Sequence, residues 1–242
     1  VCGGEVDLAT QATGSVERES GTWGTNALHD SHQESNQVRI LLVGATGTIG
    51  KAIASALESL GDEVVRVGHV SGERRADLAN AESVRNLFDA TGALDAVVCA
   101  AGVAQFGSVQ ELNDEAYNSS ITNKLMGQVN LVRFGRAAVR KGGSFTLTTG
   151  TLSVRPTPGT AAVAMAGGGV ESFVRAAALD LEDLYRVNVV SPGWVAESRQ
   201  AMGLAPMPGI WAADLARYYV ELVHGDVTGQ IVEAEEAAGP IT

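Results

Sequence analysis

The sequence is poor in cysteine, in aromatic residues and in positive charge. Two cysteines in 242 residues, Cys2 and Cys99, cannot build a disulfide framework. Cys99 lies in the apolar run LDAVVCAA (94–101), where a small buried thiol fits, and both points agree with a reducing cytoplasm. Seventeen Lys and Arg stand against 28 Asp and Glu, a formal charge of −11. That is the wrong sign for neutralising nucleic-acid phosphates or lying on anionic lipid, so neither nucleic acid nor membrane is expected as a partner. No uninterrupted apolar stretch reaches the ~18–20 residues of a membrane span, and the N-terminus lacks the basic-then-apolar order of a signal peptide. The four histidines, His29, His32, His69 and His224, have no zinc-type spacing with cysteine or with one another, so no metal is expected. What the chain does have is apolar bulk. Forty-five per cent hydrophobic residues suffice to bury one sizeable core, at a length that suits one generous α/β domain or two cramped ones.

Residues Val1 to Gln37 differ from the remainder. They are rich in Gly, Ser, Thr, Gln and Asn, carry six acids against the single base Arg18, and show no sustained apolar period. They are expected to be an unstructured extension, and Gln37/Val38 is the expected true translation start. From Val38 to Thr242 one domain is expected, because no internal repeat or dividing linker appears. Short β-branched runs alternate there with longer helical periods, the pattern of βαβ units and a doubly wound parallel sheet between two helical layers. Strands are expected at 38–44, 63–68, 75–78, 94–102, 143–150, 186–193 and 230–234. Helices are expected at 51–61, 81–92, from Asn113 to Arg140, at 159–182 and at 211–225. The triplet Gly167-Gly168-Gly169 weakens the centre of the fourth helix by about 1 kcal/mol per glycine relative to alanine. Either that helix is interrupted or something approaches its backbone closely.

The segment GATGTIG lies between the first strand and the first helix. At Gly44, Gly47 and Gly50 the absent side chains allow backbone N–H groups to approach a diphosphate, and the helix N-terminus adds its positive dipole end. Thr46, Thr48 and Ile49 complete the expected phosphate site; a tight turn without ligand is the alternative. A dinucleotide fold that takes NAD usually places an acid at the end of the second strand to hold the ribose 2′-hydroxyl. Here that strand ends Gly68-His69-Val70-Ser71, followed by Arg74-Arg75. The missing acid favours NADP(H) over NAD(H), with His69 and Ser71 as expected contacts; Arg74 and Arg75 serve either a 2′-phosphate or the surface.

With GATGTIG, the ADL segment at Asp77, CAAG (99–102) and RVNVVSPGWV (186–195) in this order, the chain resembles the short-chain dehydrogenase/reductase family from Val38 to Ala234. The resemblance implies a Rossmann-type fold in which Asp77 and Leu78 contact adenine. It also implies that Ala100, Ala101 and Gly102 line the adenine ribose and that Pro192, Gly193 and Val195 face the nicotinamide. Association through the long helix and the one that follows, as a homodimer or homotetramer, is implied likewise. The family's catalytic Ser, Tyr and Lys, and an Asn on the long helix, do not carry over: Gly150, Val163, Gly167 and Lys124 stand at those positions.

A phenol near pKa ~10 serves as a proton donor at neutral pH only beside a stabilising cation, and valine does neither job. Two substitutes are expected. Lys124 can extend into the vacated space and polarise a carbonyl, more effectively if desolvated. Thr149, with Thr148 and Thr151 near it, can offer a hydroxyl to an oxyanion. The expected function is NADP(H)-dependent hydride transfer to or from a small carbonyl or alcohol. The alternatives are a non-catalytic cofactor sensor or scaffold, and a non-redox isomerase or cyclase on the same fold.

Overall fold

The computed structural model describes residues 37–201, 203 and 209–235. The expected N-terminal extension therefore lies outside the described residues, except for Gln37, whose amide donates to the Gly61 carbonyl at 3.0 Å.

Seven strands form one sheet: β1 (Arg39–Val43), β2 (Glu63–Gly68), β3 (Arg74–Arg75), β4 (Leu94–Cys99), β5 (Val139–Thr148), β6 (Arg186–Pro192) and β7 (Ile231–Ala234). All neighbours are parallel, in the order β3-β2-β1-β4-β5-β6-β7. The direction of winding reverses between β1 and β4, the kind of switch point at which ligands of open α/β sheets bind, beyond the carboxyl ends of the strands. The strands read as continuous apolar runs because both faces are covered. On one face Leu41, Val97, Phe145 and Val189 pack against α2 (Ala81–Thr91), α4 (Gly127–Gly135) and α5 (Ala161–Asp180). On the other, Ile40, Leu42, Val98 and Val190 pack against α1 (Thr48–Ser59) and α7 (Ala212–His224). The expected doubly wound α/β sandwich is the observed fold.

Boundaries differ where packing overrides pattern. The expected helix from Asn113 to Arg140 is α3 (Asp114–Ser120), a π-helical segment over Ile121–Met126, and α4, which stops at Gly135. A β-carbon at Gly135 would lie 2.8 Å from the Phe145 ring and 2.9 Å from that of Phe88, so the helix meets the core there and turns away. Strand β5 starts at Val139 rather than 143; Val139 pairs with Leu94 before a register shift brings Ser144 opposite Ala96. The expected strand over 75–78 is the two-residue β3. Helix α1 starts at Thr48, with Gly47 as its N-cap, instead of residue 51. The segment after Trp194 carries the short helix α6 (Ala196–Ala201). Helix α5 is 20 residues long with a mean hydropathy of 1.2, which by length and composition alone would cross a membrane. Its Ala162, Ala166, Val170 and Val174 are fully buried in this fold.

Candidate functional site

The glycine segment occupies the turn from β1 to α1. Gly44 has φ of +88°, and a β-carbon there would meet the Ala100 carbonyl oxygen at 2.6 Å. At Gly50 a β-carbon would meet the Gly44 carbonyl oxygen at 2.0 Å. Around Gly47 the nearest such contact is 3.5 Å, and Thr46, Gly47 and Thr48 are exposed. Helix α1 has no side-chain cap and no acid in its first turn. Its free N–H groups and positive dipole end therefore face an open cradle, which suits a diphosphate. His69 and Ser71 are exposed just past the end of β2. Asp77 turns one carboxylate oxygen back to the Ala79 N–H at 2.9 Å, and Leu78 is buried against Gly127. Arg74 and Arg75 line a separate hollow of about 430 Å³ with Glu73, Asn80 and Glu82.

A cavity of about 370 Å³ opens beyond the ends of β4, β5 and β6. Of the expected site residues it gathers Ile49, Gly102, Lys124, Thr149, Pro192, Gly193 and Val195. The other expected contacts, Gly44 to Thr48, Gly50, Ala100 and Ala101 among them, lie outside its lining. Its walls are chiefly apolar: Val103, Phe106, Leu152, Val163 and Trp194. Phe106 and Trp194 stack with centroids 6.5 Å apart and planes at 24°, and the Arg199 guanidinium lies 5.1 Å from the indole centroid.

Lys124 reaches this cavity from the π-helical segment. Gly102, at φ +124°, leaves room for it: a β-carbon there would be 2.7 Å from Lys124 Cδ. Four residues on, Gln128 clamps the helix to the sheet. Its amide donates to the Thr148 carbonyl and accepts from the Thr148 N–H, each at 2.8 Å. Among the described residues no carboxylate or hydrogen-bond acceptor partners the Lys124 ammonium. Desolvation pulls its pKa below the ordinary 10.5, with Cys99 opposing the shift. Burial in turn pushes the Cys99 thiol up to about 11, so Cys99 stays protonated and structural.

The three threonines separate. Thr148 points away from the cavity: its hydroxyl donates to the Cys99 carbonyl at 2.5 Å and lies 2.6 Å from the Tyr219 hydroxyl. Tyr219 is wholly buried, which raises its pKa, and takes no part in the cavity. Thr149 and Thr151 line it. The Thr149 hydroxyl donates at 3.1 Å to Glu171, a buried carboxylate on α5 that also receives the Ser153 hydroxyl at 2.5 Å.

A family model described as enoyl-(acyl carrier protein) reductase matches residues 44–221. The chain is a short-chain dehydrogenase/reductase. It is 30% identical over 177 residues to a versicolorin reductase of Emericella nidulans, covering 63% of this chain and 67% of that one. It is also 30% identical over 190 residues to versicolorin reductase 1 of Aspergillus parasiticus, covering 69% and 72%. Among solved structures, the protein lin1944 from Listeria innocua superposes with a TM-score of 0.77 at 36% identity, covering 81% of this chain and 98% of that one. A small-chain dehydrogenase in complex with NADPH superposes with a TM-score of 0.73 at 26% identity, covering 83% and 97%.

In this short-chain dehydrogenase/reductase the positions read from sequence as replacing the family's Ser, Tyr and Lys, namely Gly150, Val163 and Gly167, all line the cavity. Sequence reasoning missed Glu171, Ser153 and Phe106. The signal for Glu171 was its place four residues after Gly167 and eight after Val163, on one helix face. Nothing local in the sequence pointed to Phe106, which lies in an irregular loop.

Proposed function

We propose that this oxidoreductase uses NADP(H) to transfer hydride to or from a small, largely apolar carbonyl or alcohol. The observation that carries the proposal is the Lys124 ammonium, unpartnered among the described residues and facing an apolar cavity bounded by Pro192, Gly193 and Val195. Such a cation stabilises charge developing on a carbonyl oxygen more strongly than it would in water. The cradle at Gly47 and the open N-terminus of α1 suit the cofactor's diphosphate, and bound NADP(H) would supply the hydride. NADP(H) over NAD(H) is supported by the absence of an acid at the end of β2, where His69 and Ser71 are exposed, and by the NADPH bound in a structural relative. Lys124 polarises the carbonyl, Thr149 exchanges the proton, and the Phe106–Trp194 stack shields the site from water. We place this activity in the cytoplasm, in a homodimer or homotetramer.

NADPH deuterated at C4, incubated with the protein and a panel of aldehydes and ketones, tests the reading. Deuterium in an alcohol product is the expected result. Calorimetry should show tighter binding of NADPH than of NADH. Tight NADPH binding with no deuterium transfer would overturn the catalytic reading. It would select a cofactor sensor or a non-redox enzyme instead, readings favoured by Val163 and Gly167 in the cavity wall, which offer neither phenol nor amine.

A further inference from the structure

The geometry points to Glu171 as the group that sets the direction of the Thr149 hydroxyl and holds the proton which that hydroxyl exchanges with a substrate oxygen. The inference rests on the reading of the cavity as a carbonyl/alcohol site. On α5 the positions 163, 167 and 171 recur every four residues and share one face. Val163 and Gly167 line the cavity, and Glu171, only 3% exposed, lies one turn further on. A β-carbon at Gly167 would lie 3.4 Å from Ser153 Cβ and 3.9 Å from Thr149 Cβ. Both are ordinary van der Waals distances, so α5 packs directly against the two hydroxyl-bearing residues at this point. Thr149 Oγ1 lies 3.1 Å, and Ser153 Oγ 2.5 Å, from the same Glu171 oxygen, Oε1. Ser153 Oγ is also 2.9 Å from the Gly150 carbonyl.

Among the described residues no cation pairs with Glu171, although burying a carboxylate without one is costly. A carboxyl held only by hydroxyls can accept their protons when ionised and donate one when neutral. Thr149 has a single O–H. With that hydrogen given to ionised Glu171, its lone pairs face the cavity and it accepts from an alcohol. With Glu171 neutral and donating, Thr149 turns its hydrogen toward a carbonyl oxygen. The proton step balances. In the oxidative direction the substrate O–H breaks, its proton passes to Thr149 Oγ1, and the Thr149 proton passes to Glu171 Oε1. The electron pair of the substrate C–H bond would leave as hydride to oxidised NADP when that cofactor is bound. Reduction runs the same transfers backwards. Thr149 touches the substrate; Glu171 is a positioning residue acting through it.

Two measurements test this. In cofactor-free protein carrying carboxyl-¹³C glutamate, the Glu171 resonance is assigned by its loss in Glu171→Gln. It should shift in Thr149→Val, and a resonance unmoved by that change overturns the exchange. With NADPH and 9,10-phenanthrenequinone as the probe carbonyl, Glu171→Gln should lower kcat by about 100-fold while KM stays within about threefold. NADPH affinity should be unchanged, and Glu171→Asp should recover part of the rate. A kcat within about twofold of a wild type that turns over would overturn the inference. A wild type that reduces no probe defeats the oxidoreductase reading, and the resonance alone then decides whether Glu171 and Thr149 are coupled.

Discussion

At Gly44 and Gly50 an added β-carbon would press on backbone carbonyl oxygens at 2.6 and 2.0 Å, so the folding of the loop demands these glycines whatever it binds. Gly47 differs, with φ of −79° and open space on its side-chain face. Gly47→Asp therefore separates folding from binding. Asp is a favoured N-cap and its charge suits the N-terminus of α1, so the thermal midpoint of the free protein should hold or rise. The same carboxylate repels a diphosphate, and NADPH affinity measured by calorimetry should fall by about 100-fold or more. Lys124 gives a second prediction. Its folded-state pKa lies below the unfolded value near 10.5, so between the two the unfolded chain holds a proton that the folded chain has released. The ammonium burdens the fold at low and neutral pH, and the burden fades as pH rises through that window. Lys124→Met should raise the urea midpoint at about pH 7, with a smaller gain at about pH 10. It should retain NADPH binding and lower carbonyl reduction by about 100-fold or more. The sequence showed that a lysine stands on the long helix; that its ammonium lacks a partner among the described residues and faces an apolar cavity came only from the packing around Gly102.

Helix α5 shows how far a local pattern reaches. Three consecutive glycines suggested an interruption or a close neighbour. The helix runs unbroken from Ala161 to Asp180, and the neighbour is Leu125, 3.0 Å from where a Gly169 β-carbon would lie. Around Gly168 no heavy atom of the described residues would come within 4 Å. The long helix was legible as one apolar period, but its π-helical segment was not, since a widened turn depends on what the helix must fit around. Helix α2 offers a test free of the site. The Asn80 side chain accepts from the N–H groups of Glu82 at 2.9 Å and Ser83 at 3.2 Å. Removing that cap with Asn80→Ala should cost about 1 kcal/mol. Calorimetry should then show a melting temperature about 2–4 °C lower, with NADPH affinity retained.

Across the whole molecule, the outward face of α5 carries Met165 and Leu179, 41% and 76% exposed, fourteen residues apart and therefore on one side of the helix. With Gly168 open between them, this face suits close approach of a second copy. Sedimentation should find dimers or tetramers, and Leu179→Asp should shift them toward monomer; a wild-type chain that is monomeric at all concentrations contradicts the expectation. The amino-acid sequence by itself determined the α/β alternation, the parallel sheet and the glycine turn, because each follows from local periodicity or from a backbone that tolerates no side chain. Only the tertiary structure decided that Thr148 faces Tyr219 while its neighbour Thr149 faces Glu171, and that Phe106 stacks on Trp194. Those pairings join residues far apart in the chain, and their proximity depends on how helices and strands pack, which no short window of residues encodes.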